Sequence, residues 1–463
     1  MKPPPPPTRL LADPPFASLT DYVEAGGGEC LRRVEGSSPE EVIDELARAG
    51  LRGRGGAGFP TSLKWHSIVN GGGRHHFAVC NAGEGEPGTF KDRALLRANP
   101  YQVLEGLIAA ARTLGAAQAF IVLKASFAQE LERVETALAE MSEAGWLEDV
   151  GLQMIAGPEE YLLGEEKALL EVIEGNDPLP RWLPPYLHGL FATAPQLGWE
   201  AHELEPGHSG EHVANPTLVN NAETLAQAAW ILANGAAAFR ELGTEISPGT
   251  LLCTVVGDVS SPGVHEVPMG TSLEAVLGMS GGPLPGRQIK AVFPGVANRV
   301  LSGDALDANL SYEGMEAAGS GLGAGGLIVY DDSACMVEVA ATLSRFLYVE
   351  SCGQCLPCKL GTRHITSALE SLRDGTGSDR ELDVITERLR VVADANRCYL
   401  PVQEQNLVAS IIESFPLDVA AHLQGTCRSN RARIPPPKII DLADGVVVYD
   451  QRQERKQPDW TYL

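Results

Sequence analysis

Glu350-Ser-Cys-Gly-Gln-Cys-Leu-Pro-Cys-Lys-Leu-Gly-Thr362 sets three thiols at Cys352, Cys355 and Cys358, and a fourth follows forty residues later at Cys398. Two-residue spacers let three sulfurs converge on one corner of a metal centre and leave a vertex for a remote ligand. Iron–sulfur clusters are commonly held by such a triplet plus a distant cysteine. Zinc bound by four thiolates usually draws on two separated pairs. Disulfides would need the sulfurs to pair off, which three cysteines within seven residues fit poorly. The spacing favours a [4Fe–4S] cluster over zinc, and with it an electron carrier.

Working outward, four helices are expected around this nest: Ala334–Glu350, Lys359–Arg373, Ser378–Ala393 and Gln403–Phe415. They make a helical [4Fe–4S] domain over 333–425, with the triplet at the start of the second helix and Cys398 just before the last. Ahead of it, 245–330 reads as a ubiquitin-like (β-grasp) unit: strands at Thr250–Gly257, Gly263–Val267 and Gln288–Val292, with a helix from Leu273 to Met279. Residues 16–240 alternate strands (His76–Cys80, Ala119–Leu123) with helices (38–48, Gln102–Leu114, Phe127–Glu143) and glycine-rich turns, as expected of an α/β domain on an open sheet. A helix is expected from Thr217 to about Asn234. Residues 1–15 are proline-rich and expected to be unfolded or draped over the surface, and 430–463 reads as a tail packed on a neighbour.

The bulk properties narrow the function. With 36 basic against 60 acidic residues the net charge is −24, which disfavours nucleic acid as a partner. No apolar run is long enough for a membrane span, and the N-terminus lacks a secretory h-region, so a cytoplasmic protein is expected, peripheral to any membrane through other subunits. Cys30, Cys80, Cys253, Cys335 and Cys427 are scattered and read most simply as buried or free thiols.

Gly53, Gly55, Gly56 and Gly58 lie within six residues. Backbone this bare can bring successive N–H groups to a phosphate and pass close to a flat ring. Alone the cluster is a weak signal. It gains weight from its company: Arg54-Gly-Gly-Ala-Gly-Phe-Pro-Thr-Ser-Leu-Lys-Trp65, Asn81-Ala-Gly-Glu-Gly-Glu-Pro-Gly-Thr-Phe-Lys-Asp-Arg93, Tyr161-Leu-Leu-Gly-Glu-Glu-Lys-Ala-Leu-Leu170, Pro216-Thr-Leu-Val-Asn-Asn-Ala-Glu-Thr-Leu225 and the cysteine stretch occur in this order.

Over about residues 45–415 the chain resembles, as a divergent paralogue, the NADH-binding flavoprotein subunit of respiratory complex I and the related modules of NAD-linked hydrogenases and formate dehydrogenases. The resemblance implies an α/β FMN-binding domain, a ubiquitin-like middle domain and a C-terminal four-helix iron–sulfur bundle. By motif position it assigns Gly53, Gly55, Gly56 and Lys64 to the FMN phosphate and ring, and Asn81, Glu84, Gly164, Asn220, Asn221 and Thr224 to the ribityl chain and ring edge. It also assigns Glu165 to cofactor binding, Glu86 and Glu166 to the nicotinamide and ribose as the catalytic pair, Phe59 to adenine stacking, and Cys352, Cys355, Cys358 and Cys398 to iron. The implied activity is an NADH dehydrogenase module: hydride from NADH reaches FMN, and single electrons leave through the cluster to a small [2Fe–2S] thioredoxin-like or ferredoxin-like subunit of a larger redox complex.

The chain departs from that pattern chiefly on the dinucleotide side. Gly83 stands where an aspartate is usual, Ser67 replaces an aromatic, Leu183 a lysine, Tyr186 a phenylalanine and Lys167 a threonine, and about twenty residues (192–211) are inserted. These changes imply a weakened, remodelled or lost NADH site. The alternative function is therefore an electron-transfer flavo-iron–sulfur protein relaying between protein partners without dinucleotide chemistry. Plainer readings stand beside the sharp ones: Glu165 and Glu166 as a solvated helix face, Asn220 and Asn221 as helix caps, Lys64 as a surface lysine, Trp182 and Tyr186 as packing residues, His202, His208 and His212 as solvent-facing, and His75 and His76 without the context of a metal site.

Overall fold

Phe77-Ala-Val-Cys-Asn81 is apolar on both faces until its last residue, as a central strand of a parallel sheet must be. In the computed structural model, which describes residues 8–73, 75–193, 213–427, 429, 431 and 435–462, this segment is β1. Beside it run β2 (Gln118–Lys124), then β3 (Gly151–Gly157), and on its other side β4 (Thr217–Asn221). The order is β3-β2-β1-β4 and every pairing is parallel. The chain builds outward from β1 through β2 to β3 and then crosses back to β4 on the other side of β1, so the strand order reverses at β1 and β4, the kind of point where open α/β sheets bind ligands beyond the strands' carboxyl ends. Asn81 and Asn221, the last residues of those two strands, are directly paired in register.

The sheet belongs to the first of two compact units: residues up to Glu84, Asp92–Glu159 and Leu163–Leu251. Phe77, Val79, Phe120, Val122, Leu163, Leu169, Leu170, Leu190 and Val219 form a buried core on it. Helix Pro39–Ala49 opens with a capping box, Ser38 and Glu41 each satisfying the other's backbone. The helix expected from Thr217 starts five residues late. Thr217-Leu-Val extends the buried sheet, and Asn221 is the cap of helix Ala222–Asn234. Near the N-terminus Leu10 is buried and the Arg9 guanidinium sits 4.1 Å over Trp230, so residues 8–15 are draped on this unit. The insertion, with His202 and His208, and His212 just past it, lies outside the described residues apart from Ala192 and Thr193.

The second unit comprises Gly85–Lys91, Glu160–Leu162 and everything from Leu252 onward. It holds a five-stranded sheet in the order β6-β5-β9-β7-β8: β5 (Thr250–Gly257), β6 (Gly263–Pro268), β7 (Ile289–Pro294), β8 (Leu301–Ser302) and β9 (Gly326–Asp331). β5 and β9 are parallel and β7 is antiparallel to β9, with helix Leu273–Met279 following the first two strands. The helical part contains Met336–Glu350, Leu356–Arg373, Asp379–Leu389 and Leu400–Ser414. A further helix, Pro416–Leu423, restarts at a proline that could not have continued the previous one.

The C-terminal stretch folds onto its own unit. A hairpin of β10 (Ile439–Ala443) and β11 (Val446–Tyr449) leads into the turn Gln451–Arg455 and then to Lys456, which is fully buried. Lys456 Nζ lies 2.9 Å from both carboxylate oxygens of Glu350, Gln453 Nε2 donates to the same carboxylate at 2.9 Å, and Tyr161 N–H donates at 3.0 Å. Burial alone would push Glu350 upward. The Lys456 ammonium, Lys438 and these hydrogen bonds outweigh it and hold Glu350 below the ordinary carboxylate range. Breaking a buried pair strands a charge. We therefore expect Lys456→Met to cost about 3–5 kcal/mol in urea unfolding at pH 7. Because the folded pKa of Glu350 is depressed, the pair's contribution should be complete above the ordinary carboxylate pKa of about 4.3 and fade as pH falls below it, so the variant and the parent should converge in acid.

Candidate functional site

The glycine loop lies between Arg52 and Pro60, which bridge each other, and is closed by Gly53 N–H donating to Phe59 O at 2.8 Å. Arg54 does not face outward. Its guanidinium is buried against the carbonyls of Arg52, Pro248 and Thr250, and near Glu223. It pins the loop, while its own N–H is taken by Thr224 Oγ1 at 2.8 Å. Gly56 has φ of +120°, open only to glycine. A Cβ on Gly55 would stand 3.1 Å from Asn221 Cβ, so the loop passes edge-on against the end of β4.

Beyond the loop, helix Thr61–Val69 starts without a side-chain cap, and the buried Thr61 hydroxyl has no protein partner among the described residues. An uncapped helix start beside a bare loop offers amide donors and a positive dipole end to an anion. Lys64 sits on the first turn and its Nζ is 2.7 Å from Glu166 Oε2. These residues could hold a flavin mononucleotide, whose phosphate suits the amide donors of an uncapped helix start.

The strand-end asparagines are already engaged. Asn81 Nδ2 donates to Gly164 O at 2.7 Å and its Oδ1 accepts Gly83 N–H. Asn221 caps its helix through Glu223 N–H and donates to Asp92 Oδ2 at 2.6 Å. Asn220 accepts from the buried Trp65 indole at 2.8 Å, so it fixes helix Thr61–Val69 to β4. Glu84 is buried, paired with Arg93 at 3.1 Å and accepting Asp92 N–H. Glu165 caps helix Glu166–Ile173 by accepting from the Lys167 and Ala168 amides. Burial pushes its carboxyl up to about 7, opposed by the Lys167 ammonium 3.9 Å away. Phe59 is 53% exposed, an open aromatic face at the rim. The structure thus brings together, within the first unit, Gly53, Gly55, Gly56, Phe59, Lys64, Asn81, Glu84, Gly164, Glu165, Glu166, Asn220, Asn221 and Thr224. The departure at Gly83 also has a local reason: a Cβ there would meet Leu163 at 3.2 Å.

Glu86 lies in the second unit, bonded by Tyr161 Oη and by Val296 N–H at 2.7 Å. Tyr161 in turn accepts from Gln403 Nε2 at 2.7 Å. Burial raises Glu86 and lifts Tyr161 well above its usual value, with Glu86 and then Cys398 adding to the tyrosine's rise. This network therefore runs close to the fourth cysteine.

In the cysteine nest, Cys355 is the N-cap of helix Leu356–Arg373 and Cys358 lies on its first turn. Gly353 turns the loop and Gln354 Nε2 donates to Cys352 Sγ at 3.6 Å. Arg397 N–H donates to Cys355 Sγ at 3.4 Å, which brings the residue next to Cys398 onto the triplet. Burial pushes the Cys358 thiol up to about 12, eased by the Ser351 hydroxyl and aggravated by Cys352 and Cys355. Thiols coupled in this way need a cation among them to ionise together, which a cluster would provide. Sequence reasoning passed over Glu404, buried with its Oε1 2.6 Å from Ser344 Oγ and pushed up to about 8 by burial. The available signal was a carboxylate interrupting the apolar stripe Leu400, Leu407, Val408, Ile411.

Comparison with known proteins agrees with this division. Residues 46–230 match the Nuo51 FMN-binding domain, 252–293 an SLBB domain, and 338–422 the NADH-ubiquinone oxidoreductase-F iron-sulfur binding region. The second F-type NADH-quinone oxidoreductase subunit of Rhizobium meliloti (strain 1021) is 36% identical over 427 residues, 89% of this chain and 96% of that protein. The NADP-reducing hydrogenase subunit HndC of Solidesulfovibrio fructosivorans is 33% identical, over 88% and 81%. A crystal structure of NAD+-reducing [NiFe]-hydrogenase in the H2-reduced state superposes with a TM-score of 0.77 at 32% identity, covering 89% of this chain and 67% of that one.

The tight pass of the loop is directly testable. Gly55→Val should weaken FMN binding by roughly ten-fold, about 1.4 kcal/mol, in a fluorescence titration of flavin-depleted protein, with the unfolding midpoint little changed.

Proposed function

The chain belongs to the family of F-type NADH-quinone oxidoreductase subunits, and we propose that it is the NADH-oxidising FMN and [4Fe–4S] module of a larger redox complex, passing single electrons to a small [2Fe–2S] partner. The observation that supports this reading is a glycine loop running against the carboxyl end of β4 and, in the same chain, Cys352, Cys355 and Cys358 around the start of one helix with Arg397, the neighbour of Cys398, bonded to Cys355. When bound, FMN supplies hydride acceptance and one-electron release, and the cluster supplies one-electron transfer.

The protein's own contribution is orientation and charge. Thr224 fixes the Arg54 amide, and the buried Arg54 side chain holds the loop, so the backbone donors of Gly55 and Gly56 are set before a flavin arrives. Lys64 is held by Glu166, so an anionic flavin phosphate entering there meets a cation already positioned by a carboxylate. Phe59 offers an open face for adenine. Glu86 is held within the second unit by Tyr161 Oη and Val296 N–H, and Tyr161 accepts from Gln403. We read the five-stranded sheet as the β-grasp module. Around the nest, Leu356 at 65% and Tyr399 at 54% exposure flank cluster ligands with apolar surface suited to a docking electron acceptor. The departures at Gly83, Lys167 and Leu183 retune the dinucleotide side without removing Lys64, Glu165 or Glu166.

NADH-dependent ferricyanide reduction by the FMN-loaded protein is the direct test, and its absence would sink the proposal. Glu165 gains its charge as pH rises through about 7, so KM for the anionic NADH should climb several-fold across that range, on the order of the ~1 kcal/mol two close charges exchange in water. Glu165→Gln should flatten the profile. Leu356→Asp should slow reduction of the partner protein while leaving ferricyanide reduction intact.

A further inference from the structure

Cys335 and Cys427 read in the sequence as isolated thiols, and neither serves the flavin or the cluster. In the second unit they meet. Cys335 Sγ is 3.0 Å from His422 Nε2 and 4.0 Å from Cys427 Sγ, and the three donor atoms lie within 4.8 Å of one another. A tetrahedral centre with bonds of about 2.3 Å to sulfur and about 2.0 Å to nitrogen spaces sulfur and nitrogen about 3.5 Å apart and two sulfurs about 3.8 Å apart. The observed spacings straddle those values.

The surroundings are built for ligation. His422 Nδ1 is 3.0 Å from Leu372 O, which puts the ring proton on Nδ1 and leaves the Nε2 lone pair facing the sulfurs. Metal-bound imidazoles are commonly oriented in this way. Cys335 is buried at the N-cap position of helix Met336–Glu350. Asp418 Oδ2 accepts Met336 N–H at 2.8 Å and pairs with Lys290 at 2.7 Å, fastening the helix of His422 to the helix start of Cys335 without any metal. Cys427 is returned to the group by a turn in which Thr426 and Cys427 N–H both donate to Ala421 O. Three donors from separate points in the chain are thus preorganised.

We propose that Cys335 Sγ, His422 Nε2 and Cys427 Sγ hold a zinc-class divalent cation, with the fourth position, on the exposed side of Cys427, taken by water or an external donor. Two S–H bonds break and two S–metal bonds form per ion. Two protons leave and no electron is transferred. Two thiolates and a neutral imidazole balance a divalent charge, as a partly buried site requires. The ion clips the segment after the last helix to the first helix of the iron–sulfur bundle.

The test uses the full-length protein with flavin and iron loaded, purified under reducing conditions. Elemental analysis should give about one zinc per chain in addition to iron. Cys427→Ser and His422→Ala should lose that zinc while keeping iron and flavin. Cobalt exchanged into the parent should show thiolate charge-transfer and tetrahedral d–d bands, and chelation should speed alkylation of Cys427. The cobalt spectrum needs no variant, so it decides the matter even if a substitution fails to fold. The proposal is overturned if no zinc survives desalting after Zn2+ is added, if the variants retain it, if cobalt shows no thiolate bands, or if intact mass shows the two-hydrogen deficit of a Cys335–Cys427 disulfide.

Discussion

The parallel pairing of β1 with β4, in register through Asn81 and Asn221, is the constraint on which the flavin-binding half depends. Parallel strands point their carboxyl ends the same way, so the loops that leave β1 and β4 must emerge side by side. The two asparagines then do double duty. Asn221 caps one helix and reaches Asp92, while Asn81 reaches Gly164. The Asn81 hydrogen bonds draw the Gly83 turn and Gly164 together at the end of β1, while the glycine loop is tied beside the end of β4 by Arg54 N–H donating to Thr224. The loop can enter because Gly55 has no side chain to strike Asn221.

In the other half, charge rather than strand order sets the frame. Glu350 stands two residues before the first cluster cysteine, is fully buried, and is neutralised by a lysine more than a hundred residues away. A carboxylate in that position without a counter-ion would be costly. Residues 435–462 are therefore part of the second unit rather than an appendage. Glu86, Tyr161 and Gln403 extend polar order from the short segments near residues 86 and 161 to the bundle helix that follows Cys398.

Much of this was legible in the sequence because it depends on local spacing. Cysteine intervals, a capping box at Ser38 and glycine density are short-range signals, and the helices and strands they bracket appear within a few residues of expectation. What escaped was non-local. Thr217-Leu-Val looked like the run-up to a helix because only the sheet supplies the partner that makes it β4. The partners of Glu350, of Glu404 and of Cys335 lie tens of residues or more away, and nothing in the spacing of Lys456, Ser344 or Cys427 announces them. The site residues show the same split: the glycine density announced a tight loop, whereas the pinning role of Arg54 and the Trp65 bond that occupies Asn220 are visible only in three dimensions.

The central claim is that paired electrons entering at the flavin leave singly through the cysteine nest of the same chain. Anaerobic mixing of the holoprotein with stoichiometric NADH, followed by flavin absorbance and by electron paramagnetic resonance of freeze-quenched samples, tests it most directly. The expected result is bleaching of the flavin followed by a reduced-cluster signal that is absent before NADH is added. A flavin that bleaches while the cluster stays oxidised, or a cluster reduced by dithionite in a protein that NADH leaves fully oxidised, would contradict the account.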